Sequence, residues 1–322
     1  MKAILCREYG PIANLVYDDV ADPVADEGGV VVQIKAAGVN FPDGLLVQGL
    51  YQARPETPFS PGMEAAGVIE SVGAGVTNFK PGDRVAVKCG NGGYAEKIAA
   101  DARVVIPLPD TMTYEDSCAL LCAWSTAHHA LKQRANIQPG ENLVVLGAAG
   151  ATGIGAIQCG KAMGARVVAV ASTEAKRKAC LDAGADLAIG YDNLKDGIRE
   201  ATGGKGADVI FDPVGGEAFD AACRAMVRNG RYLVIGFASG DIPKFPVNLA
   251  LLKEFSLVGV FWGAFTRNDP KLFAQNMQEL FGWYEQGLVR PVIEDRWPLE
   301  KAAEVLERIL GRSAIGKSIL IP

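Results

Sequence analysis

Gly147, Gly150, Gly153 and Gly155 follow an apolar run, Leu143–Leu146, and lead into the helical pattern IGAIQCGKAMGA. Glycines at such spacing let the backbone turn tightly, approach a pyrophosphate and pack a helix on a strand. The helix N-terminus would then offer its free N–H groups to the phosphates. A second apolar run, Arg166–Ala171, follows the helix. A glycine-rich turn in a nucleotide-free α/β domain would look similar locally, but strand and helix on both sides favour dinucleotide binding.

The end of that second run bears on the choice of cofactor. NAD sites place an acid there for the ribose 2′-hydroxyl. Here the run ends Ala171-Ser172-Thr173, and Glu174, the only acid nearby, suits the first turn of the next helix. Lys176, Arg177 and Lys178 follow. Such cations can simply be a solvated helix face, yet with no acid at the strand end the pattern predicts NADPH. Tyr191 and Lys195 spell Y-x-x-x-K and Thr152–Gly155 spells TGIG, both short-chain dehydrogenase patterns. There the glycine turn opens the chain and the Tyr/Lys pair lies far downstream on a helix, so the match here reads as a decoy.

The elements that must position these residues fall into two groups. Up to about residue 110 the chain is β-rich, with strands expected at Lys2–Cys6, Leu15–Val20, Val30–Ala36, Ala65–Val72, Asp83–Lys88, Ala95–Ala99 and Val104–Ile106. They are short, alternating or β-branched, and separated by turn clusters such as Pro81-Gly82-Asp83. Thr113 is placed to cap a helix over Tyr114–Leu131. Strands then alternate with helices: Leu143–Leu146, Arg166–Ala171, Leu187–Ile189, Asp208–Phe211, Tyr232–Ile235 and Leu257–Val260. That alternation predicts an α/β fold with a doubly wound, six-stranded parallel sheet. Two amphipathic helices, Pro270–Gln286 and Leu299–Leu310, precede a last strand, Ser318–Ile321, which suggests a return to the β-rich domain.

Composition sets outer limits. The 322 residues suit two domains, and 49% hydrophobic with 21% charged residues is ordinary for a globular protein. A net charge of −5 without a basic tract argues against nucleic acid. No signal-peptide pattern opens the sequence and no apolar run reaches the ~18 residues of a membrane span. Seven scattered cysteines without a C-x-x-C read as reduced thiols in a cytoplasmic protein. The two histidines, His128 and His129, are adjacent and point in different directions on a helix, so they cannot share a metal.

With AAGVNFPD (36–43), PGMEAAGVIESVG (61–73), KPGDRVA (80–86), GGYAE (92–96), the glycine turn and VIFDPVGG (209–216), the chain resembles the medium-chain dehydrogenase/reductase superfamily. Within it the likeness is to the zinc-free quinone oxidoreductase (zeta-crystallin-like) branch, over essentially the whole length. The resemblance implies a chaperonin-10-like β-rich catalytic domain (1–123 and 264–322) around a Rossmann NADPH-binding domain (124–263). For the cofactor it implies Thr126, Gly150, Ala151, Thr152, Gly153 and Ile154, with Ser172, Lys176, Tyr191 and Arg312 around the 2′-phosphate. Gly236, Phe237, Phe261 and Trp262 stand at or beyond the ends of the last two Rossmann strands, where they could wall the nicotinamide, or equally serve core or subunit interface.

The resemblance also supplies an active-site loop, Asn40–Tyr51. Asn40 and Asp43 match groups near the nicotinamide, and Tyr51 a tyrosine facing the quinone. Tyr51 could donate to a quinone oxygen and Asn40 could orient substrate or ribose; Asn40 and Asp43 could instead only cap the loop. Zinc-dependent relatives use a Cys, a His and a second Cys where this chain has Asn40, Met63 and Cys122, and the four-cysteine structural lobe is missing. No metal is expected, since zinc wants Cys, His or carboxylate in a tetrahedral set. A metal-free site suits acceptors that delocalise the added charge: a quinone, or alternatively an α,β-unsaturated carbonyl. A third possibility is a non-catalytic, crystallin-like NADPH-binding protein. The apolar strand Leu257–Val260 falls at the expected sheet edge and predicts a homodimer.

Overall fold

The computed structural model describes residues 1–322, which divide into two compact units, Met1–Cys122 with Ile293–Pro322, and Ala123–Val292. In the first unit a seven-stranded sheet is built on the long strand Gly29–Val39. Strand Glu64–Val72 lies antiparallel on one side of it, and Lys317–Ile321 and Lys97–Asp101 also pair with it antiparallel. Beyond Glu64–Val72 lie Arg84–Lys88 and Val105–Pro107, and Ile293–Pro298 runs parallel to Lys317–Ile321. Lys2–Leu5 and Val16–Asp19 form a separate hairpin-like pair. The apolar positions of these strands, among them Val30, Val32, Ile34, Ile69, Val85 and Val87, enclose one core with Leu306 of helix Ala302–Leu310.

The second unit carries six parallel strands. Across the sheet they run Leu187–Ile189, Arg166–Val170, Asn142–Val145, Ala207–Asp212, Met226–Val234 and Ser256–Gly259. In chain order this is 3-2-1-4-5-6, the doubly wound arrangement whose order reverses between Asn142–Val145 and Ala207–Asp212. Both strands are buried almost throughout, which explains their unbroken apolar reading in the sequence. Ser256–Gly259 ends the sheet, as the sequence suggested for that segment.

Three features differ from the sequence reading. The helix expected over Tyr114–Leu131 is interrupted: α-helical Tyr114–Ala119 and Ser125–His129 alternate with wider π-helical turns at Leu120–Trp124 and Ala130–Arg134. Such turns are invisible to a 3.6-residue pattern, because they add a residue without changing composition. Residues 264–292 group with the six-stranded unit, so the return to the β-rich unit comes at Ile293 and not at 264. Helix Pro270–Glu285 is held there by polar pairs across the helix interface, His128 Nε2 with Glu279 at 2.9 Å and Gln133 Nε2 donating to Asn276 Oδ1 at 3.0 Å. Strand Ile293–Pro298 was also missed; its charged residues, Glu294, Asp295 and Arg296, hide the strand pattern. No helix is long and apolar enough to cross a membrane.

Candidate active site and cofactor site

The glycine turn leaves strand Asn142–Val145 and enters helix Ala151–Ala162, whose N-cap is Gly150. Gly147 sits at φ +56°, a left-handed position suited to glycine. A Cβ on Gly153 would lie 2.6 Å from the Gly147 carbonyl oxygen and 2.7 Å from Ala148 backbone atoms, so helix start and turn touch directly. A Cβ on Gly150 would meet nothing nearer than 3.5 Å, which leaves bare backbone there. Ile154 is fully buried and Ala151 and Thr152 half-buried, so the helix offers a ligand its first N–H groups. This cradle fits a pyrophosphate.

Across the point where strand order reverses, Asp212 ends its strand and braces the next loop. Its Oδ1 accepts from the Val214 and Gly215 amides at 2.7 and 2.9 Å, and its Oδ2 from the Tyr232 hydroxyl at 2.7 Å. Burial raises the Asp212 carboxyl, against the pull of these three donors. The sequence reading held VIFDPVGG only as a family marker; an acid ending an otherwise apolar strand was the available signal.

Tyr191 lies beside the turn, its hydroxyl accepting from the Gly147 amide at 2.9 Å. Ser172 is exposed just past strand Arg166–Val170, and Thr173 caps the helix bearing Lys176 by accepting the Lys176 amide at 3.2 Å. Lys195 pairs at 3.9 Å with Asp196. Arg312 belongs to the β-rich unit, after helix Ala302–Leu310, at φ +58°. Gly236 and Phe237 follow strand Met226–Val234, and Phe261 and Trp262 follow Ser256–Gly259. Trp262 Nε1 donates to Ser125 Oγ at 2.5 Å, which ties it to the helix carrying Thr126, while Phe261 is 51% exposed.

In the β-rich unit the expected loop begins as a short helix, Phe41–Val47. Asp43 reaches back over its first turn: Oδ2 accepts the Asn40 amide at 2.8 Å and the Tyr94 hydroxyl at 2.8 Å. Asp43 is fully buried, and burial, opposed by these donors and by Lys317, pushes its carboxyl up to about 6. Capping thus occupies Asp43, while the Asn40 side chain turns elsewhere. Its Nδ2 donates to Glu64 Oε1 at 2.9 Å, and its Oδ1 accepts from Lys317 Nζ at 2.7 Å. Lys317 and Glu64 also pair directly, both with no exposure. Burial alone would lower the lysine; the Glu64 carboxylate, aided by Asp43, outweighs it and holds the ammonium charged. Tyr51 packs against the core of this unit.

Neither Glu64 nor Lys317 was among the expected site residues. Sheet register joins them: Ile319 faces Gly38 and Ala65 faces Ala37, so Lys317 and Glu64 both border the end of strand Gly29–Val39. A Cβ on Gly38 would lie 2.2 Å from Glu64 Oε1 and 2.8 Å from Lys317 Cε. A lone lysine opening the apolar run KSILI was the one sequence signal.

Two family models match the chain. "Alcohol dehydrogenase GroES-like domain" covers residues 26–110, and "Zinc-binding dehydrogenase" covers 151–280. Rattus norvegicus "Quinone oxidoreductase-like protein 2" is 35% identical over 99% of this chain and 91% of its own length. Homo sapiens "Quinone oxidoreductase" is 33% identical over 100% of this chain and 98% of its own. The chain belongs to the quinone oxidoreductase branch of the medium-chain dehydrogenase/reductase superfamily. Among solved structures, Escherichia coli quinone oxidoreductase complexed with NADPH superposes with a TM-score of 0.92 at 27% identity, covering 100% of both chains.

For a quinone oxidoreductase relative, the description "Zinc-binding" raises the question of a metal. The three positions that zinc-dependent relatives use hold Asn40, Met63 and Cys122. Asn40 Oδ1 already accepts an ammonium hydrogen, and burial drives the Cys122 thiol far above the ordinary range. A neutral thiol, a thioether and an occupied amide do not fit a tetrahedral zinc site.

Proposed function

We propose that this chain is an NADPH-dependent quinone reductase that acts without a metal and as a homodimer. The observation that carries the reading is the bare-backbone cradle at Gly147–Gly153, at the reversal point of a 3-2-1-4-5-6 sheet. The cradle holds the pyrophosphate, and the Asp212-braced loop lines the same end of the sheet. Ser172, Lys176 and Tyr191 surround the 2′-phosphate. NADPH supplies a hydride when bound. Asn40 and Tyr51 orient the acceptor, and Tyr51 or solvent supplies the proton. A quinone suits this metal-free arrangement because it becomes an aromatic hydroquinone anion on taking the hydride. The seven free cysteines are compatible with a cytoplasmic setting.

NADPH oxidation should be rapid with 9,10-phenanthrenequinone and 1,4-benzoquinone. Turnover of 2-cyclohexen-1-one in place of both would assign an enone reductase, and silence with all three a binding protein.

Replacing Lys176 by Ala should weaken NADPH at least about tenfold and leave NADH nearly unchanged. A charge-assisted contact is worth roughly 1.5–3 kcal/mol, and ~1.4 kcal/mol is tenfold in affinity. Dissociation constants for both cofactors check this. Equal losses would detach Lys176 from the 2′-phosphate, and a wild-type preference for NADH would remove the NADPH assignment.

Purified protein should contain no stoichiometric zinc and keep its activity in EDTA. Elemental analysis finding one zinc per chain would overturn the metal-free reading.

The edge strand Ser256–Gly259 leaves Leu257 40% exposed, near a segment that exposes Leu251 at 78% and Leu252 at 73%. An unpaired apolar edge invites a second strand. Light scattering at micromolar concentration should therefore give a dimer mass, and a clean monomer would refute the assignment.

A further inference from the structure

We propose that Lys317 and Glu64 are positioning residues that lock the polarity of the Asn40 amide, so that Asn40 presents an N–H donor to an oxygen of the reacting pair. The proposal rests on the reductase reading, in which Asn40 orients the acceptor. Its basis is the donor and acceptor chemistry of three side chains.

An asparagine amide can ordinarily be turned over, exchanging its oxygen and nitrogen. Here it cannot. An ammonium only donates, so the Asn40 atom 2.7 Å from Lys317 Nζ must be Oδ1. The other atom is then Nδ2, and it donates to Glu64 Oε1 at 2.9 Å. Lys317 donates to that same Oε1, which closes a three-membered ring of contacts. Turning the amide over would set an NH₂ against the ammonium and a carbonyl against the carboxylate, breaking both bonds inside a buried cluster. Glu64 and Lys317 have no exposure, whereas Asn40 keeps 8%. Asn40 is therefore the least enclosed member of the ring.

With Oδ1 held by the ammonium and one N–H held by the carboxylate, the second N–H remains. The ammonium also polarises the amide, which strengthens the remaining donor through the hydrogen-bond chain. A donor approaching Oδ1 would meet the positive charge of Lys317. The group that fits is thus an oxygen acceptor: the quinone oxygen on which negative charge develops, or an oxygen of the cofactor.

The test compares four proteins with wild type: Asn40→Ala, the apolar pair Lys317→Met/Glu64→Met, the triple variant, and Lys317→Arg. The methionine pair removes both charges together, which buried pairs tolerate better than loss of one partner. Stopped-flow hydride transfer to 9,10-phenanthrenequinone at saturating NADPH, the NADPH dissociation constant and the thermal midpoint are measured for each. Asn40→Ala should lower hydride transfer or cofactor affinity at least about tenfold, as expected for a donor at developing charge. The methionine pair should lose about as much although Asn40 is intact, and the triple variant no more than Asn40→Ala alone. Lys317→Arg, still a donor-only cation, should recover most of the activity. A loss confined to hydride transfer assigns the acceptor oxygen to the quinone, and one confined to NADPH affinity assigns it to the cofactor. A folded methionine pair with wild-type values, or losses that multiply in the triple variant, overturns the lock. Should wild type transfer no hydride, the reductase reading fails separately. The lock is then judged by nuclear magnetic resonance of the Asn40 side-chain amide: one slowly exchanging hydrogen in wild type and none in the methionine pair supports it, and identical exchange in both refutes it.

Discussion

Gly153→Ala is expected to cost at least about 100-fold in NADPH affinity, the scale on which a displacement of roughly 1 Å disables a positioned site. The added Cβ would meet the Gly147 carbonyl oxygen at 2.6 Å and Ala148 backbone carbon atoms at 2.7 Å. All of these are main-chain atoms, so no side chain can swing aside. Relief must come from parting the helix start from the turn, and the N–H groups that face the phosphates move with the helix. Gly282→Ala is the matched control, since the nearest atom to its Cβ is a flexible glutamine end 4.0 Å away. It should leave affinity unchanged and add a little helix stability, alanine being the better helix former. Cofactor titration of both variants, with circular dichroism to establish folding, decides the matter. Near wild-type affinity in a folded Gly153→Ala protein would show that the cofactor does not depend on this cradle.

The second large effect concerns stability. Lys317→Met should destabilise the β-rich unit by about 3–5 kcal/mol, the usual penalty for leaving one member of a buried ion pair without its partner. Glu64 would stay fully buried with its Oε2 unpaired, as it already is, and its Oε1 served by Asn40 alone. Adding Glu64→Met should return most of that loss, because two apolar side chains of similar length replace the pair without stranding a charge. Urea unfolding of the two variants provides the comparison. A single variant as stable as wild type would mean that the Lys317–Glu64 contact carries no such weight.

Much of the architecture was legible from local pattern. The parallel strands are buried on both faces and read as short apolar runs, and the turn between Asn142–Val145 and Ala151–Ala162 declares itself through glycines that its own backbone requires. The six strands expected along this part of the chain all stand in one parallel sheet. Asn40 and Asp43 were legible as a pair because capping is a contact between residues three apart. The interrupted helix was not, since a π-turn leaves no compositional trace. Nor was the placement of 264–292, which side-chain pairs between separate helices decide.

The Asn40–Glu64–Lys317 ring marks the limit most clearly. Its lysine lies 277 residues from Asn40 and 253 from Glu64 along the chain. No periodicity spans such distances. Residue types, the glycine turn and the alternation of strands and helices follow from neighbours in sequence, where local sterics and burial act. Which charges meet depends on strand register, and register is set only when the last strand, Lys317–Ile321, pairs with Gly29–Val39. A one-residue slip there would turn Lys317 to the other face of the sheet.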